Sequence, residues 1–194
     1  NNLALLYKAQ GKLDAAEPIL KEALDIRRKA LPAGHPDIAQ SLGSLASLYQ
    51  AQGKLDAAEP LYREALEIRR KALPAGHPDI ATSLNNLALL YQAQGKLDAA
   101  EPLYKEALEI RRKALPAGHP DIALDLNSLA MLYYAQGKLD AAEPLYQEAL
   151  EIYRKALPAG HPDIATGLNN LASLYQAQGK LDAAEPLLKE ALEI

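Results

Sequence analysis

A chain of 194 residues with a formal net charge of -4, 49% hydrophobic and 5% aromatic residues can build a helical core from Leu, Ala, Ile and Tyr. The acidic balance argues against a nucleic-acid partner, whose binders carry a basic face, and the absence of Cys removes disulfides, thiolate metal sites and Cys nucleophiles. No apolar run approaches the roughly 20 residues that a membrane-spanning helix needs, and no signal-peptide pattern opens the chain.

Repetition is the strongest feature. Gly11, Gly53, Gly95, Gly137 and Gly179 recur every 42 residues inside the string AQGKLDAAEP. His35, His77, His119 and His161 recur at the same interval inside LPAGHPDIA. The register never slips, so residues 1–194 read as a single array of about four and a half units, truncated at both ends. The chain opens at Asn1 rather than Met and is expected to be a segment of something longer.

In chain order, helices are predicted over 1–10, 12–31, 37–51, 55–73, 79–93, 97–115, 121–135, 139–157, 163–177 and 181–194, two per unit. The third unit shows why. From Asp79 onward, Leu84, Leu87, Ala88, Leu90 and Tyr91 fall on one helical face. Pro78 presets the first turn, and Asp79 meets the positive end of the helix dipole. Gly95 supplies the left-handed stop. The next helix carries Leu97, Ala100, Tyr104, Ala107, Leu108, Ala114 and Leu115 on its apolar stripe. Glu101, Lys105, Glu109 and Lys113 alternate in sign along another stripe, which reads as a solvated face. Arg111, Arg112 and Lys113 stand at the carbonyl end, where cations are favoured, and Pro116 and Gly118 end the helix. Pro102 is a local conflict. An early start at Leu97 leaves the Asp98 carbonyl without its usual donor, whereas a later start with Asp98 as N-cap would make the proline harmless. The short turn at Gly95 and Lys96 favours the early start, with a slight bend.

The spacing of Leu84, Leu87, Ala88, Tyr91, Gly95, Ala100, Tyr104 and Ala107 resembles the signature of the tetratricopeptide repeat, and the resemblance covers the whole chain. Two departures are visible. Leu84 stands where the family often has Trp, and Arg112 stands where it has its closing proline, so the second helix runs on and the unit grows to 42 residues. This longer form, with its LNNLALLY, EIRRKAL and HPDIA strings, resembles the kinesin light chain type of repeat and its bacterial relatives. A kinesin subunit also needs a heptad segment, which is not present in these residues. The resemblance implies an all-α, right-handed superhelical solenoid of antiparallel helix pairs. Its first helices would line a concave groove that holds a peptide or helix of a partner protein.

Chemistry is sparse. Each His stands alone in its unit, with none of the i,i+3 or i,i+4 spacing of helical metal sites, so no metal or cofactor is expected. The HPD string matches that of J-domains, but here it recurs in every linker with its proline opening a helix. Carboxylates alternate with cations on solvated faces and have no reason to act as acid or base. No enzyme is expected.

The groove implied by the resemblance has its own candidates. The Asn pairs Asn1 and Asn2, Asn85 and Asn86, and Asn169 and Asn170 hold equivalent first-helix places, with Gly43 and Ser44, then Asn127 and Ser128, between them. An Asn side chain both donates to and accepts from a peptide backbone. The first Asn of each pair is expected to face the groove; for the second, a groove role and a structural bridge between helices stand equal. Gln50 and Gln92 lie further along the same helices, and Leu89, Met131 and Tyr134 add apolar character. Differences among units gather on the first helices, at Gln40, Thr82, Leu124 and Thr166, at Ser41, Ser83, Asp125 and Gly167, and at Ser47, Leu89, Met131 and Ser173. A groove tuned along its length has this pattern, and so does drift at positions bearing little packing load. The resulting expectation is a cytoplasmic scaffold with a protein or peptide partner and no nucleic-acid or membrane partner. The alternatives are a structural array that stacks head to tail through uncapped ends, or a consensus-like or engineered array with no ligand.

Overall fold

A computed structural model of the protein describes residues 2–194. Among them are ten helices and no strand: α1 (Asn2–Ala9), α2 (Leu13–Ala30), α3 (Pro36–Ala51), α4 (Leu55–Ala72), α5 (Pro78–Ala93), α6 (Leu97–Ala114), α7 (Pro120–Ala135), α8 (Leu139–Ala156), α9 (Pro162–Ala177) and α10 (Leu181–Leu192). All lie within two residues of the expected bounds. None of the described helices is long and apolar enough to cross a membrane.

The boundaries follow from local chemistry. At the end of α5, Lys96 N–H donates to the Tyr91 carbonyl at 2.8 Å and Gly95 N–H to that of Gln92 at 3.0 Å, the pair of bonds that closes a Schellman motif. Gly95 sits at φ 72° with nothing within 4 Å of where its Cβ would be, so conformation rather than space demands glycine. The second helices start early, as the short turn requires. Pro18, Pro60, Pro102, Pro144 and Pro186 all lie inside them. No Asp caps these starts; instead the Lys96 carbonyl accepts from both Ala99 and Ala100 N–H at 3.2 Å.

Compactness divides the chain into residues 1–103 and 104–194, with the division falling inside α6. In the first unit α1 packs on α2, α2 on α3, α3 on α4 and α4 on α5. In the second, α7 packs on α8, α8 on α9 and α9 on α10, and α7 and α9 also touch directly. First helices are buried along the expected face: Leu84, Leu87, Ala88, Leu90 and Tyr91 are inside, as are Leu126, Leu129, Ala130 and Leu132. On α6, Ala100, Tyr104, Ala107 and Leu108 are buried, whereas Ala114 is exposed at the helix end. Burial of Tyr104 and Tyr146 pushes their phenols above the ordinary range.

Candidate interaction surface

Each described first helix keeps one face against the second helices and leaves another open. In the first unit, α3 presents Gln40, Ser44, Ser47 and Gln50, and α5 presents Thr82, Asn86, Leu89 and Gln92. A cavity of about 240 Å³ lies among these helices, lined in part by Gly43, Ser47, Asn86, Lys8 and Arg69. Gly43 stands where other units carry Asn, and a Cβ there would meet nothing within 4 Å. The break in the Asn row thus leaves open space. In the second unit, α7 exposes Leu124, Met131 and Tyr134, and α9 exposes Thr166, Asn169, Ser173 and Gln176.

The Asn positions differ in depth. Asn1 lies outside the described residues. Asn85 and Asn127 are buried, Asn86 and Asn170 half-buried, and Asn169 exposed. Asn127 uses both ends of its amide inside the unit: Oδ1 accepts from Asn170 Nδ2 at 2.9 Å, and Nδ2 donates to Met131 Sδ at 3.8 Å. Asn127 and Asn170 therefore bridge neighbouring first helices. Only Asn169 of the described first-position Asn lies open. Gln50 and Gln92 are half-buried, and Gln50 Oε1 accepts from Tyr62 O–H at 3.2 Å. Leu89, Met131 and Tyr134 are exposed.

One row of variable positions belongs elsewhere. Ser41, Ser83, Asp125 and Gly167 are buried and face the preceding second helix. Arg27 Nη1 donates to Ser41 Oγ at 2.8 Å, Arg69 Nη1 to Ser83 Oγ at 2.7 Å, and Arg111 Nη1 to Asp125 Oδ1 at 2.7 Å. In the last unit both partners change: Tyr153 replaces the Arg, and Gly167 replaces its acceptor. The signal was available in the sequence, since the one unit with Tyr at the first position is the one with Gly at the second, 14 residues on.

The four His have a structural use that their linker position alone did not reveal. His35, His77, His119 and His161 are N-caps whose Nδ1 accepts the N–H of Asp37, Asp79, Asp121 and Asp163 at 3.1–3.2 Å. Among the described residues, no group of three or more His, Asp or Glu could hold a metal ion.

Within each compact unit the AQGK string joins one 42-residue repeat to the next. Gln52 Nε2 and Lys54 Nζ donate to Glu17 Oε2 at 3.3 and 3.2 Å, and Lys54 Nζ lies 5.5 Å from the centre of the Tyr49 ring. Gln94 and Lys96 hold Glu59 in the same way, and Gln178 and Lys180 hold Glu143. Lys21, then Lys54 and Gln52, hold the Glu17 carboxyl down to about 2. Burial pushes Glu59 up, but Lys96 and Gln94 outweigh it and leave its pKa lowered.

The family model for the tetratricopeptide repeat matches residues 1–71, 37–113, 79–155 and 121–194. No curated protein is similar enough to count as a match. Among solved structures, the nearly identical TPR-like repeats of a kinesin light chain-type protein of Podosopora anserina are 31% identical, with a TM-score of 0.82 over 99% of this chain and 91% of that one. BtubC (BKLC) of P. vanneervenii is 32% identical, with a TM-score of 0.85 over 98% of this chain and 76% of that one. A Rap protein complexed with Competence and Sporulation Factor is 18% identical, with a TM-score of 0.82 over 98% of this chain and 51% of that one; at that identity the likeness is one of fold.

Proposed function

The chain belongs to the tetratricopeptide repeat family, and from that membership we propose that it is a non-catalytic interaction scaffold holding a peptide or helix of a partner protein on the open faces of its first helices. The observation that carries this reading is the contrast between its two kinds of surface. The outer faces of the second helices are near copies whose charges neutralise one another locally, as in Lys71–Glu67, Lys113–Glu109 and Lys155–Glu151 at 2.5 Å. Such exposed i,i+4 pairs carry little energy and no distinguishing feature. The open faces of the first helices differ from unit to unit, carry amides and hydroxyls, and hold Leu89, Met131 and Tyr134. Large apolar side chains left in water at variable positions are what a partner contact needs. The Rap protein supports the reading to this extent: a chain of the same fold forms a complex with a factor.

Selection of a displayed peptide library against the full chain tests it. Binders of the first unit should lose affinity on Leu89→Glu and binders of the second on Asn169→Glu, and both should keep it when Glu67→Lys and Glu109→Lys alter the outer faces. Selected peptides that respond only to the outer substitutions would place the partner surface on the second helices.

A further inference from the structure

We infer that α7 is a docking stripe for an amphipathic helix with an uncharged contact face, aligned along α7 rather than crossing it. The inference rests on the scaffold reading and names the partner it would hold in the second unit. Leu124, Met131 and Tyr134 are 47%, 40% and 39% exposed. At the equivalent places α9 carries Thr166, Ser173 and Gln176. Within the second unit the apolar surface is therefore long along α7 and does not extend onto α9. It follows α7 for about 15 Å, taking about 1.5 Å per residue, and it stops at α9.

That shape selects a partner. An extended segment running across the first helices would meet apolar side chains at α7 and polar ones at α9. A helix lying along α7 presents side chains at i, i+3 and i+10 on one face, the axial spacing of Tyr134, Met131 and Leu124. Charge points the same way. From 124 to 134 the one carboxylate is Asp125, buried and paired with Arg111 at 2.7 Å, and from 166 to 176 there is no charged residue. A charged contact face would lose its hydration there without finding a counter-charge. The stripe is also held in place. Met131 Sδ accepts from Asn127 Nδ2 at 3.8 Å, and Asn127 is tied in turn to Asn170 at 2.9 Å. Little ordering is left to be done when a partner arrives.

The probe is an uncharged Leu/Ala/Gln peptide of about 14 residues, roughly four helical turns, with Leu in helical register. Its control is an isomer of the same composition with Leu at alternate positions. Affinities are read by fluorescence anisotropy on the full chain and on a triple variant, Leu124→Thr, Met131→Ser and Tyr134→Gln. The variant carries on α7 the side chains that α9 already bears, so its helicity by circular dichroism should match the parent. The helical-register peptide should bind about tenfold tighter than its isomer, a difference of about 1.4 kcal/mol, and the triple variant should remove that advantage. If both peptides bind equally and the variant weakens both, the aligned helix is wrong while the scaffold reading stands. If the variant weakens neither, α7 is not a docking stripe, whatever the other first helices bind.

Discussion

Tyr153 lies against Gly167: a Cβ added to that glycine would stand 3.7 Å from Tyr153 Cδ2 and 3.3 Å from Leu150 Cδ1. The ring occupies the place where Arg27, Arg69 and Arg111 extend toward Ser41, Ser83 and Asp125. Gly167→Asp would bury a carboxylate beside a phenol that burial already pushes up to about 12. It should destabilise the chain by about 3–5 kcal/mol, the range for an uncompensated buried charge. Adding Tyr153→Arg should restore most of the loss by rebuilding the Arg111–Asp125 arrangement. Urea denaturation of the two single variants and the double variant checks it; additive losses would mean that the two positions are not coupled.

The Arg111–Asp125 pair itself makes a graded expectation. Asp125→Ala removes the nearer and buried of two carboxylates beside the Arg111 guanidinium, leaving only the half-exposed Asp121 carboxylate 3.9 Å from Nε, and should cost about 3 kcal/mol. Asp125→Ser copies what Arg69 already meets at Ser83 and should cost clearly less. Equal midpoints for the two variants in the same denaturant would contradict this.

The His caps should be worth about 1 kcal/mol each. His77→Ala should lower stability by that order, and His77→Asn should regain most of it, because both His and Asn offer an acceptor to the Asp79 N–H. Since Nδ1 is the acceptor, the imidazole proton belongs on Nε2, and nitrogen NMR of the folded chain should show that tautomer in all four rings. A proton on Nδ1 would rule out the caps.

Acid sensitivity follows from the joints. Glu17 is held at about 2 against an ordinary 4.5. A carboxylate lowered on folding stabilises above its unfolded value, and the contribution is lost as pH falls through its folded one. The window for Glu17 therefore runs from about 4.5 down to about 2. Glu59 and Glu143 are lowered by equivalent partners and should act in the same direction. Glu17→Gln should flatten the dependence of the denaturation midpoint on pH within that window and leave it unchanged near neutrality. An unaltered slope would show that the Lys21, Lys54 and Gln52 contacts do not hold the carboxylate in solution.

Helix positions were legible from the sequence because each unit repeats the same punctuation: Pro78 and Asp79 at a start, Gly95 at a stop. The early start at Leu97 was legible too, since the short turn favours it over a later one. What periodicity conceals is depth. Asn127 and Asn169 hold the same register in their units, yet one is buried against Asn170 and Met131 while the other is open. The difference is that α9 lies beside α7 and covers Asn127, whereas among the described residues no first helix follows α9 to cover Asn169, and helical periodicity does not encode depth. Ser83 and Thr82 are adjacent in sequence, yet Ser83 meets Arg69 while Thr82 lines the cavity. The His caps were missed for a related reason: the Pro and Asp after them already explained the helix start, and the direction of an imidazole is not written in its spacing.

The scaffold reading is tested most directly by mapping where a selected peptide touches the full chain, using NMR shift changes of assigned side chains and amides. Changes should gather on the first helices of one unit, either at Asn86 and Leu89 on α5, or at Leu124, Met131 and Tyr134 on α7 with Asn169 and Ser173 on α9, with Glu67, Glu109 and Glu151 undisturbed. A footprint on those outer glutamates, with the first-helix side chains unmoved, would contradict the account.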